Sequence, residues 1–173
     1  MCAAAISLEL ARAADAPVIA QMSRDLVETG LGWKYNTPTV LRALANADTL
    51  TLAARGLDAG AGLAGFAMAH FGDERAHLVL LAVQPSQQRQ GVGRQLLQWL
   101  LVSATTAGIA DVELELRAGN LAALRFYNAL GFSETARVAG YYHQQESAIR
   151  MRLVLREPGA IASAWRAPTL RRF

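Results

Sequence analysis

The segment "AHLVLLAVQPSQQRQGVGRQLLQWLL", Ala76 to Leu101, constrains the chain more than any other. An apolar run of strand length stops at Pro85, which cannot continue a ladder. Only after Gly91 and Gly93 does an amphipathic stretch begin, with Leu96, Leu97, Leu100 and Leu101 on one face. Glycines let a backbone approach a ligand with no Cβ in the way, and a helix start offers unpaired N–H groups at the positive end of its dipole. Strand, glycine turn and helix start in that order suit an anion, most often a phosphate.

The flanking sequence keeps alternating between the two periods. "ISLELARAA" predicts a strand, and Asp15 as N-cap with Pro17 in the first turn predicts a helix ending near Gly30. Thr37 as cap and Pro38 as first helical residue predict a second, shorter helix. "TLTLAAR" and "LAGFAMAHF" around "DAGAG" read as a hairpin. The glycine-turn helix should run from about Gly91 to Ala107 and stop at Gly108. In "DVELELRA", Val112, Leu114 and Leu116 face one way and Glu113, Glu115 and Arg117 the other. Asn120 caps "LAALRFYNAL", which ends at Gly131, and two strands, "FSETARVAGYY" and "SAIRMRLVL", close the domain. The expected fold class is α/β (α+β), a mixed central sheet in the order βααβββαβαββ with helices on both faces. Residues 1–155 form the expected domain; 156–173 are an extension, disordered or interface-forming, which leaves a homodimer open.

With 173 residues, 53% hydrophobic and 18% charged, the chain is long and apolar enough to bury its own core. No apolar run suits a bilayer, the start lacks a signal-peptide pattern, and the single Cys2 cannot form an internal disulfide. A cytoplasmic protein without a membrane partner is expected. The net charge of +3 comes from arginine almost alone, since Lys34 is the only lysine. Arginine forks suit phosphate and carboxylate, but so modest a charge without a basic run argues against nucleic acid. His70, His77 and His143 are not spaced as metal ligands, so no metal is expected.

Three glycine patterns compete for the turn. A dinucleotide fingerprint would need a third glycine or alanine where Leu96 stands, and a Walker loop needs a lysine that the segment lacks. The pattern Gln/Arg-x-x-Gly-x-Gly/Ala behind "LAVQP" is filled by Gln88, Gly91 and Gly93. Here, with "LELRAGNLAALRFYNALGF" and "RVAGYY" downstream, the sequence resembles the GCN5-related N-acetyltransferase (GNAT) family, and within it enzymes that acetylate the terminal α-amine of ribosomal proteins.

The resemblance implies acetyl-coenzyme A as cofactor, with its pyrophosphate in the turn formed by Gln88, Arg89, Gln90, Gly91, Val92, Gly93 and Arg94. It implies that backbone groups of Leu81, Ala82 and Val83 and the side chain of Asn120 hold the pantetheine arm. It puts Glu115 in "LELR" as general base for the amine and Tyr127 in "RFYNALGF", beside the cofactor, as general acid for the departing thiolate. Tyr141 and Tyr142 match a pair lining the acceptor cleft, and Trp33 lies in "GLGWKYNTP", the loop that shapes the acceptor pocket. The implied partner is an amine, first of all a peptide or protein N-terminus. An α-amine has a pKa near 8 and a lysine amine about 10.4, so exposing the neutral form at pH 7 costs about 1.4 against about 4.6 kcal/mol. A small-molecule amine, or a non-catalytic acetyl-coenzyme A sensor, is the alternative. The wet face of a strand for Glu115 and a packing role for Tyr127 are the bland readings.

Overall fold

The computed structural model describes residues 6–57, 62–142 and 146–156. Cys2, most of the "DAGAG" turn, His143 and all but the first residue of the predicted extension lie outside the described residues. Seven strands form one sheet: β1 (Ile6–Leu10), β2 (Thr49–Gly56), β3 (Leu63–Phe71), β4 (Arg75–Val83), β5 (Asp111–Arg117), β6 (Ser133–Tyr142) and β7 (Glu146–Val154). Their spatial order is β1-β2-β3-β4-β5-β7-β6, antiparallel except for the parallel neighbours β4 and β5. Helices α1 (Ala16–Met22) and α2 (Thr37–Ala45) precede the hairpin, α3 (Val92–Thr106) joins β4 to β5, and α4 (Leu121–Asn128) follows β5. The expected element order holds.

Two apolar clusters put helices on both faces. Leu96, Leu97 and Leu100 of α3 and Tyr127 of α4 pack with Val112, Leu114 and Leu116 of β5. On the other face Ile19 and Met22 of α1 and Val40 of α2 pack with Phe66, Met68 and Leu80. The faces cross over within β4. Ala76 and Leu78 belong to the α3/α4 cluster, while Leu80 and Ala82 belong to the α1/α2 cluster, although a regular strand would put all four on one side. The register explains it: Leu78 pairs with Ala69 and Leu80 with Met68, leaving Val79 as a bulge.

Below the bulge β4 stays joined to β5 for only three residue pairs, Arg75 with Asp111, Ala76 with Val112 and His77 with Glu113. Beyond them β5 pairs with β7 alone as far as Arg117, so the sheet splays between β4 and β5 and the inner edge of β4 runs on unpaired.

Local corrections concern caps. Asp15 does not cap α1 with its side chain; its carboxylate accepts from the Arg12 N–H at 2.7 Å and from Arg55, closing a short 3-10 turn (Ala13–Asp15) ahead of the helix. Asn36 rather than Thr37 caps α2, accepting the Thr39 N–H at 3.1 Å, which moves Pro38 one residue into the helix. The first helix ends at Met22 and widens into a π turn (Ser23–Val27), where the Glu28 N–H reaches the Ser23 carbonyl at 2.7 Å. Gly108 and Gly131 take φ of +81° and +91° just after α3 and α4, as a stop residue must.

Candidate active site

The splay opens into a cavity of about 770 Å³. One wall is β4 from His77 to Leu81; another is β5 from Leu114 to Arg117; Asn120, Ala123 and Tyr127 come from α4 and its cap, and Tyr141 and Tyr142 from the end of β6. The loop leaving α1 covers the space with Glu28, Thr29, Leu31, Lys34 and Tyr35. Glu115, Tyr127, Leu81, Asn120, Tyr141 and Tyr142 of the predicted site therefore share one cavity. Trp33 does not line it: its indole N–H donates to the Ala20 carbonyl at 3.1 Å, and the Arg24 guanidinium lies 5.4 Å from its ring centre. The loop residues that reach the cavity are its neighbours, Leu31, Lys34 and Tyr35.

Strand alternation aims Glu115 into the space, but it is not a bare carboxylate. Oε1 accepts from Arg150 Nε at 3.0 Å, and Oε2 lies 3.0 Å from His77 Nε2. Glu113, two residues earlier, sits outside the cavity lining and pairs with Arg75.

Tyr127 is buried among Phe126 and Phe132, with ring centres 5.1 and 5.6 Å away. Its hydroxyl makes no hydrogen bond among the described residues, so it is not tied to a backbone carbonyl. Burial pushes its phenol up, and it stays protonated at any working pH. Asn120 Oδ1 caps α4 by accepting the Ala123 N–H at 3.0 Å, and its amide nitrogen has no partner among the described residues. Tyr141 and Tyr142 meet edge to face at 5.0 Å. Burial first, and Tyr141 after it, pushes the Tyr142 phenol up.

The glycine turn continues from the end of β4. Arg89 and Gly91 both take left-handed φ, +62° and +85°, which folds successive N–H groups into a concavity. Gln88 Nε2 ties the turn to β4 by donating to the Val83 carbonyl at 3.0 Å. Gly91 starts α3 with no side chain on its first N–H groups, and neither Arg89 nor Arg94 pairs with a carboxylate among the described residues. A Cβ at Gly93 would meet Val83 and Phe126 at 3.5 and 3.6 Å, an ordinary fit.

Sequence reading missed Glu28, His77 and Arg150. Glu28 is 8% exposed and accepts from the Ser23 hydroxyl at 2.9 Å, the Lys34 N–H at 2.8 Å and the Tyr35 N–H at 3.0 Å. This buried carboxylate fixes the covering loop, helped by Arg117, whose guanidinium donates to the Thr29 carbonyl. No local motif marks such a residue. His77 and Arg150 lie on β4 and β7, and only strand register brings them to Glu115.

Comparison with known proteins places this geometry. The chain is 41% identical over 80 residues to the [Ribosomal protein bS18]-alanine N-acetyltransferase of Escherichia coli K12, covering 46% of this chain and 54% of that one. It is 35% identical over 66 residues to the N-terminal acetyltransferase B complex catalytic subunit naa20 of Schizosaccharomyces pombe, 38% of this chain and 37% of that one. The chain thus spans about half the length, or less, of the curated relatives it matches. The crystal structure of the ribosomal-protein-S18-alanine N-acetyltransferase from Escherichia coli superposes with a TM-score of 0.75 at 27% identity, over 90% of this chain and 97% of that one. Arabidopsis thaliana NAA60 in complex with acetyl-CoA, at 18% identity, shares the fold with a TM-score of 0.76 over 87% of this chain and 98% of that one. The sequence profile of the Acetyltransferase (GNAT) family matches residues 22–132, from the end of α1 through α4, and the chain belongs to that family.

Proposed function

We propose that the chain moves an acetyl group from acetyl-coenzyme A to a primary amine, and that its acceptor is the terminal α-amine of a peptide or protein. The observation that carries the reading is the unpaired inner edge of β4 opening into the same cavity as Glu115 and Tyr127. An extended, amide-bearing arm can pair with such an edge as an added strand would. The concave turn at Gln88 to Arg94, with two left-handed residues and an uncapped α3 start, fits a pyrophosphate at its end. Leu81, Ala82, Val83 and Asn120 would hold the arm, and the turn residues the phosphates. When bound, the cofactor supplies an acetyl group activated as a thioester.

The protein's own residues do the rest. Glu115 acts as general base for the amine, directly or through a water, and Tyr127 as general acid toward the leaving sulfur. An unshifted phenol, pKa about 10, would be matched to a thiol near 8.5. Burial widens that gap, so Tyr127 serves first as a hydrogen-bond donor. The covering loop and the Tyr141–Tyr142 pair close the acceptor side. The relatives named for bS18 alanine and for N-terminal acetylation support an α-amine acceptor.

The test is acetyl-coenzyme A-dependent thiol release across peptides with different first residues, an internal-lysine peptide with a blocked terminus, and small amines. We expect turnover with free N-terminal alanine and little with the blocked peptide. Turnover on small amines alone would replace the peptide acceptor, and binding without turnover across the panel would replace the enzyme with a sensor.

A further inference from the structure

We infer that His77, held by Glu115, is the atom-level acceptor of the amine proton, so that the base is a carboxylate–imidazole pair rather than Glu115 alone. The inference rests on the acetyl-transfer reading and refines its base. Each Glu115 oxygen already faces a donor or partner, Arg150 Nε on one side and His77 Nε2 on the other, both at 3.0 Å. At 3.0 Å a carboxylate oxygen and Nε2 repel unless that nitrogen carries the proton, so the contact favours the imidazole tautomer with N–H on Nε2.

The lone pair then lies on Nδ1, which has no hydrogen-bond partner among the described residues. His77 also lines the cavity, with its side chain 40% exposed against 16% for Glu115. A base whose far nitrogen is oriented by a carboxylate is the recurring form of an activated imidazole. The amine proton passes to Nδ1 as the bond from the amine nitrogen to the acetyl carbon forms and the bond from that carbon to sulfur breaks. The imidazolium, its Nε2–H against the Glu115 carboxylate, then gives the proton to the departing thiolate or to water, with the Tyr127 hydroxyl donating to that sulfur. His70, opposite on β3, has its pKa lowered by burial and then by His77, while its Nδ1 is occupied by Thr49 at 2.8 Å. Arg75 is engaged with Asp111 and Glu113, so no free cation stands beside His77 on its own strand.

The experiment compares the full chain with His77→Asn, His77→Gly and Glu115→Gln, using an alanine-first peptide and acetyl-coenzyme A, with ¹⁵N NMR of the imidazole as a readout independent of turnover. We expect His77→Asn to lower kcat about 100-fold or more with the KM for acetyl-coenzyme A unchanged, a usual worth of a general base. Added imidazole should restore part of the kcat of His77→Gly, which no merely structural role explains. NMR should show the Nε2–H tautomer in the wild type and a larger Nδ1–H share in Glu115→Gln, whose amide is a weaker acceptor and can donate instead. Near-normal kcat in His77→Asn beside a dead Glu115→Gln would overturn the pair and return the base to Glu115. A wild-type protein that acetylates no amine would overturn the acetyl-transfer reading, whatever the tautomer.

Discussion

The half of the molecule around β4, α3, β5 and α4 and the half made of α1, α2 and the covering loop are held together differently. In the first, leucines at helical and strand spacing make a dry contact between α3 and the sheet, and the turn's shape is fixed by its own backbone. In the second, polar clasps carry the shape: Glu28 on three donors, and Arg55 bridging Glu9 and Asp15 across β1, β2 and the start of α1. A ligand of fixed structure can be met by a fixed local motif. An acceptor wall needs a loop placed by contacts from afar.

The largest test of that division is Gly91→Arg. A side chain at φ +85° in the phosphate turn should reduce acetyl-coenzyme A affinity by about 100-fold or more in titration calorimetry, while backbone strain at that φ costs the fold only about 1–2 kcal/mol. If melting collapses and affinity survives, the turn belongs to the fold and not to the ligand. On the other half, Glu28→Ala strands the Ser23 hydroxyl and the Lys34 and Tyr35 N–H groups, at a cost of about 2–3 kcal/mol. It should raise the KM for peptide while leaving that for acetyl-coenzyme A in place; equal rises in both would erase the distinction between the halves.

A finer contrast lies between two glycines. A Cβ at Gly65 would stand 2.8 Å from the Ala82 carbonyl oxygen, backbone that cannot swing aside, so Gly65→Ala should cost about 1–3 kcal/mol in chemical denaturation. Gly93→Ala meets only ordinary contacts and should stay within about 0.5 kcal/mol of wild type.

The smallest effect is acid sensitivity, which each half carries once. Burial alone would raise the carboxyls of Asp15 and Asp111. Arg55 and the Arg12 N–H together outweigh it at Asp15, as Arg152 and Arg75 do at Asp111, and both end below their ordinary value. Such groups stabilise the fold fully above the ordinary value of 3.8, and the contribution is lost as pH falls through the lowered one. Asp15→Asn and Asp111→Asn should each flatten melting temperature against pH in that acid range, and an unchanged slope would show that the ion pair at that site adds nothing.

What the sequence made legible follows from distance along the chain. The alternation of β5, the leucine face of α3 and the Asn120 cap are local, and each is recovered at its position. Caps at the front shifted because Asp15 found Arg55, 40 residues away, a better partner than the helix N–H groups. The bulge at Val79 left no mark in an apolar run where every residue suits either face. Arg150 and Glu115 are 35 residues apart and meet only because β7 enters between β5 and β6. Trp33, prominent in the loop sequence, turned back onto α1 because its indole N–H found the Ala20 carbonyl there.

Three residue pairs are all that join β4 to β5. Mechanically the sheet is two stiff plates, β1 to β4 and β5 with β7 and β6, stitched along a short seam at one end. Amides along that seam should be the first of the sheet interior to exchange with solvent, and any molecule lying along the open edge acts as a further stitch. Substrate occupancy and the rigidity of the whole sheet then rise together, so heat tolerance becomes a reading of how full the cleft is.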